Sequence, residues 1–158
     1  MIKINNPFAG KESYNCIGCS PNHPFGLKLG FFLDEHEQQI VSEWTPNANF
    51  EGYQNVLHGG IQATMLDEIA SWAVYVLLKT GGVTAEMQVQ YHKPILLTHG
   101  PIRLTASIEQ LENNLASIKT KLINSKGVTC TEGIVKYFVF PESIARKRYN
   151  YPGIDKFL

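Results

Sequence analysis

One carboxylate, Asp67, lies in a segment that carries few other charges. From about residue 58 to residue 79, apolar side chains recur at spacings of three and four, which predicts a helix that is apolar on nearly all sides. On a helical wheel Asp67 falls about 160° from Ile69, among small side chains. A charge in such surroundings is costly unless it has a partner or a chemical task. Periodicity alone leaves both interpretations open: a pairing with a basic residue at a subunit surface, or catalysis.

Two glycines follow a histidine at the predicted start of this helix, in the run His58-Gly59-Gly60. The first N–H groups of a helix have no partner within the helix, and they lie at the positive end of its dipole. With no side chains in the way, they form a ready site for an oxyanion. Taken alone, the glycines are typical of a tight turn and His58 of a structural hydrogen bond. The carboxylate nine residues after the histidine favours a site that stabilises an oxyanion.

The helices and strands that must position these residues can be predicted from the spacing of apolar residues, which changes along the chain. After the helix, which Gly81-Gly82 ends, polar and apolar residues alternate as in strands, and two further strands precede the helix. The predicted strands cover residues 27–33, 39–44, 83–91, 102–110, 116–124 and 128–140. This order indicates an α+β domain in which an antiparallel sheet packs on one long helix.

The length, charge and hydropathy of the chain limit the classes of protein to which it can belong. The 158 residues suffice for one domain, which we divide into an irregular arm at 1–26, a main domain at 27–140 and a C-terminal appendage at 141–158. Fourteen basic and fourteen acidic residues balance to a net charge of zero, which argues against a nucleic-acid partner. The uncharged run 69–78 is too short to span a bilayer, and the N-terminus lacks the pattern of a secretory signal. We therefore expect a cytoplasmic protein without a membrane partner.

Three cysteines raise the question of a metal site. Cys16 and Cys19 form a Cys-x-x-Cys pair with His23 nearby, but Cys130 lies far along a predicted strand. A structural zinc ion requires four ligands. An odd number of cysteines is also a poor disulfide framework, in keeping with the cytoplasm. The sequence therefore predicts no metal, no cofactor, and cysteines that are dispensable for turnover.

Three motifs resemble those of one enzyme family. Residues 56–68, Val-Leu-His-Gly-Gly-Ile-Gln-Ala-Thr-Met-Leu-Asp-Glu, resemble the helix signature of hotdog-fold acyl-CoA thioesterases of the phenylacetyl-CoA and human thioesterase-superfamily-member type. Residues 82–94, which end in a lysine and a proline, are similar to the strand that follows the helix in that family. The segment around Cys16 and Cys19 is similar to an arm found in a subset of its members. The resemblance covers about residues 14–140.

The resemblance implies a hotdog fold, in which a curved antiparallel sheet wraps around one long central helix. It also implies a homodimer or homotetramer with acyl-CoA sites between subunits, where Asp67 of one subunit faces the His58-Gly59 turn of another. Asp67 would be the general base or the nucleophile that hydrolyses the thioester to a free acid and coenzyme A, and the Gly59 N–H would polarise the thioester carbonyl. The other implied site residues are the catalytic His58 and Thr84 and the substrate-binding Gly60, Asn55 and Lys93.

One position departs from the family pattern. Relatives often have an asparagine six residues before the histidine, where this chain has Gly52. Glu51, Gln54 or Asn55 would have to orient a water molecule instead. The departure leaves open a second function, that of a non-catalytic acyl-CoA-binding or regulatory module on the same fold. A hydratase or dehydratase is a third alternative, although those hotdog proteins usually carry a different histidine motif.

Overall fold

A seven-stranded antiparallel sheet forms the frame of the molecule in the computed structural model, which describes residues 1–158. The strands are β1 (Ile2–Lys3), β2 (Phe32–Asp34), β3 (Gln39–Trp44), β4 (Gly82–Tyr91), β5 (Ile102–Glu112), β6 (Leu115–Ile123) and β7 (Thr129–Val139). Their order across the sheet is β1-β2-β3-β5-β6-β7-β4, so that β4 lies at one edge. The helices are α1 (Gly59–Leu77) and α2 (Glu142–Tyr149), with short 3₁₀ helices at Ala48–Phe50, Leu97–His99 and Ile154–Lys156. No helix has the length and apolar character needed to cross a membrane.

The long helix α1 lies against five strands, β3 to β7, and is buried on several sides. Its apolar positions recur three and four residues apart, and Met65, Ile69 and Trp72 have almost no exposed surface. Each fully buried side chain of this size contributes about 1.5–3 kcal/mol to the free energy of unfolding. The helix comes close to the sheet at Gly133 of β7, where a Cβ would lie 3.0 Å from Leu66 Cδ1. The predicted α+β architecture, an antiparallel sheet packed on one long helix, is confirmed.

One predicted strand is shorter than its sequence pattern. The alternation at 27–33 predicts a strand, but only Phe32–Asp34 forms one. The N–H groups of Leu27 and Leu29 donate instead to carbonyls of the N-terminal arm, that of Leu27 to Ile17 over 2.8 Å. Both leucines are buried, so the alternation indicates burial correctly, while the backbone pairs with a turn of the arm rather than with a sheet strand. The other predicted strands and the helix agree with the structure to within about two residues at each end.

Both chain ends pack onto the C-terminal half of α1. The arm places the ring of Phe8 beside that of Tyr75, with 5.6 Å between their centroids. Residues 141–158 form α2 and a final 3₁₀ helix, and they bury Phe157. The Phe157 ring meets that of Trp72 edge to face at 5.7 Å, a geometry that aromatic pairs prefer. The arm and the C-terminal residues therefore belong to the same apolar core as α1.

Candidate active site

The Gly59 N–H at the start of α1 is a free backbone donor. His58 is the N-cap, and its Nδ1 accepts the Gly60 N–H over 2.9 Å. As an acceptor, Nδ1 carries no proton, so the neutral imidazole is protonated on Nε2. The Gly59 N–H, at the first helical position, has no acceptor within the chain. Of the two glycines, only Gly59 therefore offers an N–H to a ligand at the positive end of the helix dipole.

Tyr91, at the end of β4, fixes the position of Gly59. Its hydroxyl donates to the Gly59 carbonyl over 2.6 Å, and a Cβ on Gly59 would lie 3.5 Å from the Tyr91 ring. The contact joins residues that are 32 positions apart, so no local motif indicates it. Tyr91 is thus a site residue that sequence reasoning missed.

A buried amide ties the start of α1 to the sheet. Gln62 is 3% exposed, and its amide donates to the Leu57 carbonyl over 2.9 Å. Its carbonyl oxygen accepts the Thr131 hydroxyl of β7 over 2.5 Å. Buried polar groups of this kind are costly unless they are hydrogen-bonded, and here donor and acceptor are both used. The first turn of α1 is therefore held in one position relative to β7.

A cleft of about 450 Å³ opens beside the helix start. Gly52 lies on its wall, and a Cβ at this position would be only 3.2 Å from His58 Cα. The asparagine that relatives often have here would therefore require the loop or His58 to shift. Gly52 therefore lets the loop lie close to His58, at a position where relatives often have an asparagine. The cleft is lined by Glu51, Gly52, Tyr53, Val56, Leu57, His58 and Gly59.

The side chains of Asn55 and Lys93 are not part of this lining. Asn55 has a φ of 61°, and its amide binds Thr98 twice, donating to Oγ1 over 3.0 Å and accepting from the backbone N–H over 3.2 Å. These bonds tie two loops together. Lys93 lies exposed just beyond β4, and its N–H donates to the Cys130 carbonyl over 3.1 Å. Substrate binding by Asn55 and Lys93 stays a prediction.

Further along α1, two hydroxyl groups hold the carboxylate of Asp67. Thr84 Oγ1 donates to Asp67 Oδ1 over 2.8 Å, and the Tyr137 hydroxyl donates to the same oxygen over 2.9 Å. Neither hydroxyl binds Oδ2. One oxygen therefore orients the carboxylate, while the other keeps its lone pairs for a ligand. The structure thus brings together two of the predicted catalytic residues, Asp67 and Thr84.

The sheet register explains why both hydroxyls reach the same oxygen. Thr84 of β4 and Tyr137 of β7 are directly opposite each other in the antiparallel ladder. Residues in this relationship point to the same face of a sheet, here the face that packs on α1. The register shifts between Thr84 and Glu86, which is a β-bulge, and bulges change the direction of nearby side chains.

Tyr137 is a second site residue that sequence reasoning missed. It is 3% exposed, and burial together with the charge of Asp67 holds the pKa of Tyr137 above its ordinary value. The phenol therefore stays protonated at neutral pH and remains a donor to Asp67. One feature of the sequence could have identified Tyr137: it is a tyrosine at an inward position of a largely apolar strand. A buried hydroxyl at such a position needs a hydrogen-bond partner.

Gly59 and Asp67 lie too far apart in one chain to act on one carbonyl group. They are eight residues apart on α1, which corresponds to about 12 Å along the helix axis. One chain therefore carries two half-sites: the free donor at Gly59 beside His58, and the carboxylate of Asp67 with Thr84 and Tyr137.

Glu68, next to Asp67, faces a different part of the molecule. Its carboxylate oxygens lie 3.4 and 3.5 Å from Cys16 Sγ, and one of them accepts the Trp72 indole N–H over 3.2 Å. Burial raises the pKa of Glu68 to about 7. The Sγ atoms of Cys16 and Cys19 and a carboxylate oxygen of Glu68 all lie within 4.8 Å of one another, so these three residues could hold a metal ion.

The middle of the chain is similar in sequence to a known protein family. Residues 54–131 match the family model of the thioesterase superfamily. An uncharacterised protein of Schizosaccharomyces pombe is 31% identical over 95 residues, which are 59% of this chain and 54% of that protein. The chain thus spans about half the length of the curated relative that it matches.

Solved structures of thioesterases share the architecture. A hypothetical thioesterase protein from Streptococcus pneumoniae, crystallised with coenzyme A, superposes with a TM-score of 0.62 at 19% identity, over 66% of this chain and 82% of that one. Zebrafish thioesterase superfamily member 2 superposes with a TM-score of 0.63 at 22% identity, over 76% of this chain and 88% of that one. At these identities the likeness concerns the fold. The chain therefore has the hotdog fold, and its residues 54–131 match the thioesterase superfamily.

Proposed function

We propose that the protein is an acyl-CoA thioesterase, which hydrolyses an acyl-CoA thioester to a free acid and coenzyme A at sites formed between two copies of the chain. The observation that carries the proposal is the carboxylate of Asp67. Thr84 and Tyr137 both donate to Oδ1, over 2.8 and 2.9 Å, and leave Oδ2 for chemistry. A carboxylate oriented in this way, on a helix whose only other charged residue is Glu68, fits a general base or a nucleophile.

The reaction requires an attacking oxygen and a donor for the oxyanion. In the general-base route, a water oxygen attacks the thioester carbon while Asp67 Oδ2 takes one proton of the water. The carbonyl oxygen becomes an oxyanion and accepts the Gly59 N–H of a second copy, at the positive end of its α1 dipole. The tetrahedral intermediate then expels the coenzyme A thiolate, which takes up the proton. In the nucleophilic route, Oδ2 attacks the thioester carbon and expels the coenzyme A thiolate. Water then hydrolyses the resulting anhydride to the free acid, which restores the Asp67 carboxylate and supplies the proton that the thiolate takes up.

The need for a second copy follows from the distance between the half-sites and from the edge of the sheet. Gly59 and Asp67 of one chain are separated by about 12 Å along α1. Strand β4 is ten residues long, lies at the sheet edge and exposes most of its side chains. An edge of this length presents unpaired backbone groups, which a second β4 can satisfy about a two-fold axis. We therefore propose a homodimer, or a homotetramer built from two such dimers.

Coenzyme A thioesters are the proposed substrate class because of the neighbours in fold. The Streptococcus pneumoniae protein was solved with coenzyme A, and a Streptococcus mutans protein with the same fold was solved with acetyl-CoA. The cleft of about 450 Å³ at the helix start is where we place the thioester, with its carbonyl toward Gly59. The Gly60 N–H donates to His58 and is therefore not free to bind the substrate. Because Gly60 has no side chain, it leaves room for the substrate beside the helix start.

Release of free thiol from a panel of acyl-CoAs tests the activity. We expect the purified protein to release coenzyme A from at least one aliphatic or aromatic acyl-CoA and to sediment as a dimer or tetramer. The non-catalytic alternative, which the Gly52 departure leaves open, predicts that an acyl-CoA binds but is not hydrolysed. Saturable binding without thiol release would support that alternative. A stable monomer at micromolar concentration would contradict the shared site.

A further inference from the structure

The N-terminal arm makes a tight turn around Glu68. The Ser20 N–H donates to the Cys16 carbonyl over 3.1 Å and closes the turn, and the Leu29 N–H donates to the Gly18 carbonyl over 2.9 Å. A Cβ at Gly18 would lie 2.5 Å from the Glu68 carboxylate. A side chain at Gly18 would displace the Glu68 carboxylate from this position, so the arm backbone packs closely against it.

Three potential metal ligands meet in this turn. The Sγ atoms of Cys16 and Cys19 and a carboxylate oxygen of Glu68 lie within 4.8 Å of one another. The Glu68 oxygens are 3.4 and 3.5 Å from Cys16 Sγ. In a tetrahedral zinc site, Zn–S and Zn–O bonds of about 2.3 and 2.0–2.2 Å place sulfur and oxygen about 3.5 Å apart. The observed separation therefore suits two ligands of one ion.

No basic residue is paired with this cluster. None of the ion pairs in the chain involves Glu68, whose other partner is the neutral indole of Trp72. The lysine that lines the adjacent cavity, Lys11, places its ammonium 5.1 Å from the centroid of the Phe8 ring. Two thiols and a partly buried carboxylate without a basic partner form a group that a cation would stabilise.

A cavity of about 350 Å³ adjoins the three ligands. Its walls include Cys16, Cys19 and Glu68, and on the same side lies Tyr14, whose hydroxyl is 2.7 Å from Cys19 Sγ. Three protein ligands beside a cavity leave room for a fourth ligand, which is the pattern of zinc sites with an open position.

We propose that Cys16, Cys19 and Glu68 bind a zinc(II) ion, whose fourth coordination position faces the cavity between the arm and α1. Thiolate sulfur selects zinc over magnesium or calcium, and a carboxylate oxygen is an accepted third ligand. The ion fastens the arm to the helix residue next to Asp67. The sequence predicts no metal because only two thiols are close in the chain, whereas the third ligand lies 52 positions beyond Cys16.

Metal analysis of the full chain tests the proposal. After reconstitution with zinc and removal of excess, we expect about one zinc ion per chain and a melting temperature above that of chelator-treated protein. Cobalt(II) should bind in its place and show the thiolate-to-cobalt charge-transfer absorption of a tetrahedral sulfur site. Cys16→Ser and Cys19→Ser should lose both metals, and Glu68→Gln should bind zinc more weakly.

The matched control is Cys130→Ser. Cys130 is buried elsewhere and its Sγ contacts the Val128 carbonyl, so this variant should keep the metal. Wild-type protein that takes up less than about 0.1 zinc ion per chain overturns the proposal. So does a cobalt spectrum without thiolate bands, or a Cys16–Cys19 disulfide in protein purified without oxidant. The wild-type spectrum decides the question even where a cysteine variant does not fold.

Discussion

The Tyr137 hydroxyl lies 2.9 Å from Asp67 Oδ1 and 3.0 Å from the carbonyl oxygen of the same residue. One phenol therefore contacts both the side chain and the backbone of Asp67. Thr84 approaches Oδ1 from the neighbouring strand. Because both hydroxyls bind the same oxygen, rotation of the carboxylate is restricted, and Oδ2 is the oxygen that we expect to react.

Replacing Asp67 by asparagine should remove most of the turnover and leave the fold intact. Asparagine keeps the size and the hydrogen-bonding capacity of the side chain but lacks the basic lone pair. We expect kcat/KM on the best acyl-CoA to fall by a factor on the order of 10² or more. The matched control is Asp155→Asn, an exposed aspartate in the last 3₁₀ helix, which should keep wild-type kinetics. A folded Asp67→Asn variant with near wild-type kcat/KM would contradict the assignment.

Tyr137→Phe and Thr84→Val should each weaken catalysis by loosening Asp67. Removing one donor from Oδ1 should lower kcat by about 10- to 150-fold, since one hydrogen bond to a charged group is worth about 1.5–3 kcal/mol. Because the two hydroxyls contact Asp67 rather than the substrate, KM should change little while kcat falls. A KM that rises as much as kcat falls would mean that the two hydroxyls act by shaping the substrate site and not by orienting Asp67.

The Gly59 N–H can be removed without disturbing the helix start. Gly59 is the first residue of α1, where proline is tolerated, and His58 before it has φ −57° and ψ 132°, which suit a residue preceding proline. Gly59→Pro should therefore fold and lower kcat by about 10² to 10³, as expected for the loss of an oxyanion donor. Gly59→Ala keeps the N–H and places its Cβ at an ordinary 3.5 Å from Tyr91, so it should stay active. Equal activity of the two variants would exclude this N–H from catalysis.

Mixing two inactive variants tests whether the half-sites come from different subunits. Asp67→Asn and Gly59→Pro chains, unfolded together and refolded, should form mixed dimers in which one of the two sites has an intact Asp67 and an intact Gly59. Random pairing should then restore about a quarter of the wild-type kcat. The control is each variant refolded alone, which should stay inactive. No recovery, despite mixed dimers detected by mass, would place both groups in one chain.

The C-terminal residues should contribute measurably to stability. Phe157 is fully buried among aromatic rings, including Trp72 and Tyr75, and Phe157→Ala should lower the free energy of unfolding by about 3–5 kcal/mol. Its neighbour Leu158 is 47% exposed, so Leu158→Ala should change the free energy of unfolding by less than about 0.5 kcal/mol. Urea denaturation of both variants measures the difference. Similar values for the two would mean that the C-terminal residues pack elsewhere in solution.

Local patterns in the chain predict elements well but not their partners. The three- and four-residue spacing predicts α1, because a helix buried on several sides must repeat apolar side chains at that interval. Alternation predicts burial of Leu27 and Leu29 correctly. It does not show that their backbone pairs with the N-terminal arm, since a strand and an extended segment share the same period.

The same distinction between local spacing and long-range contacts applies to the candidate site. The sequence by itself determined that Asp67 and Gly59 lie on one helix about 12 Å apart, because helix geometry depends only on residue number. Tertiary structure alone decided that Tyr137 donates to Asp67 and that Glu68 meets Cys16, contacts that span 70 and 52 positions. Such contacts depend on strand register and on the path of the arm. Both depend on which distant segments of the chain pair and pack together, and the spacing of residues within one segment does not specify its partner.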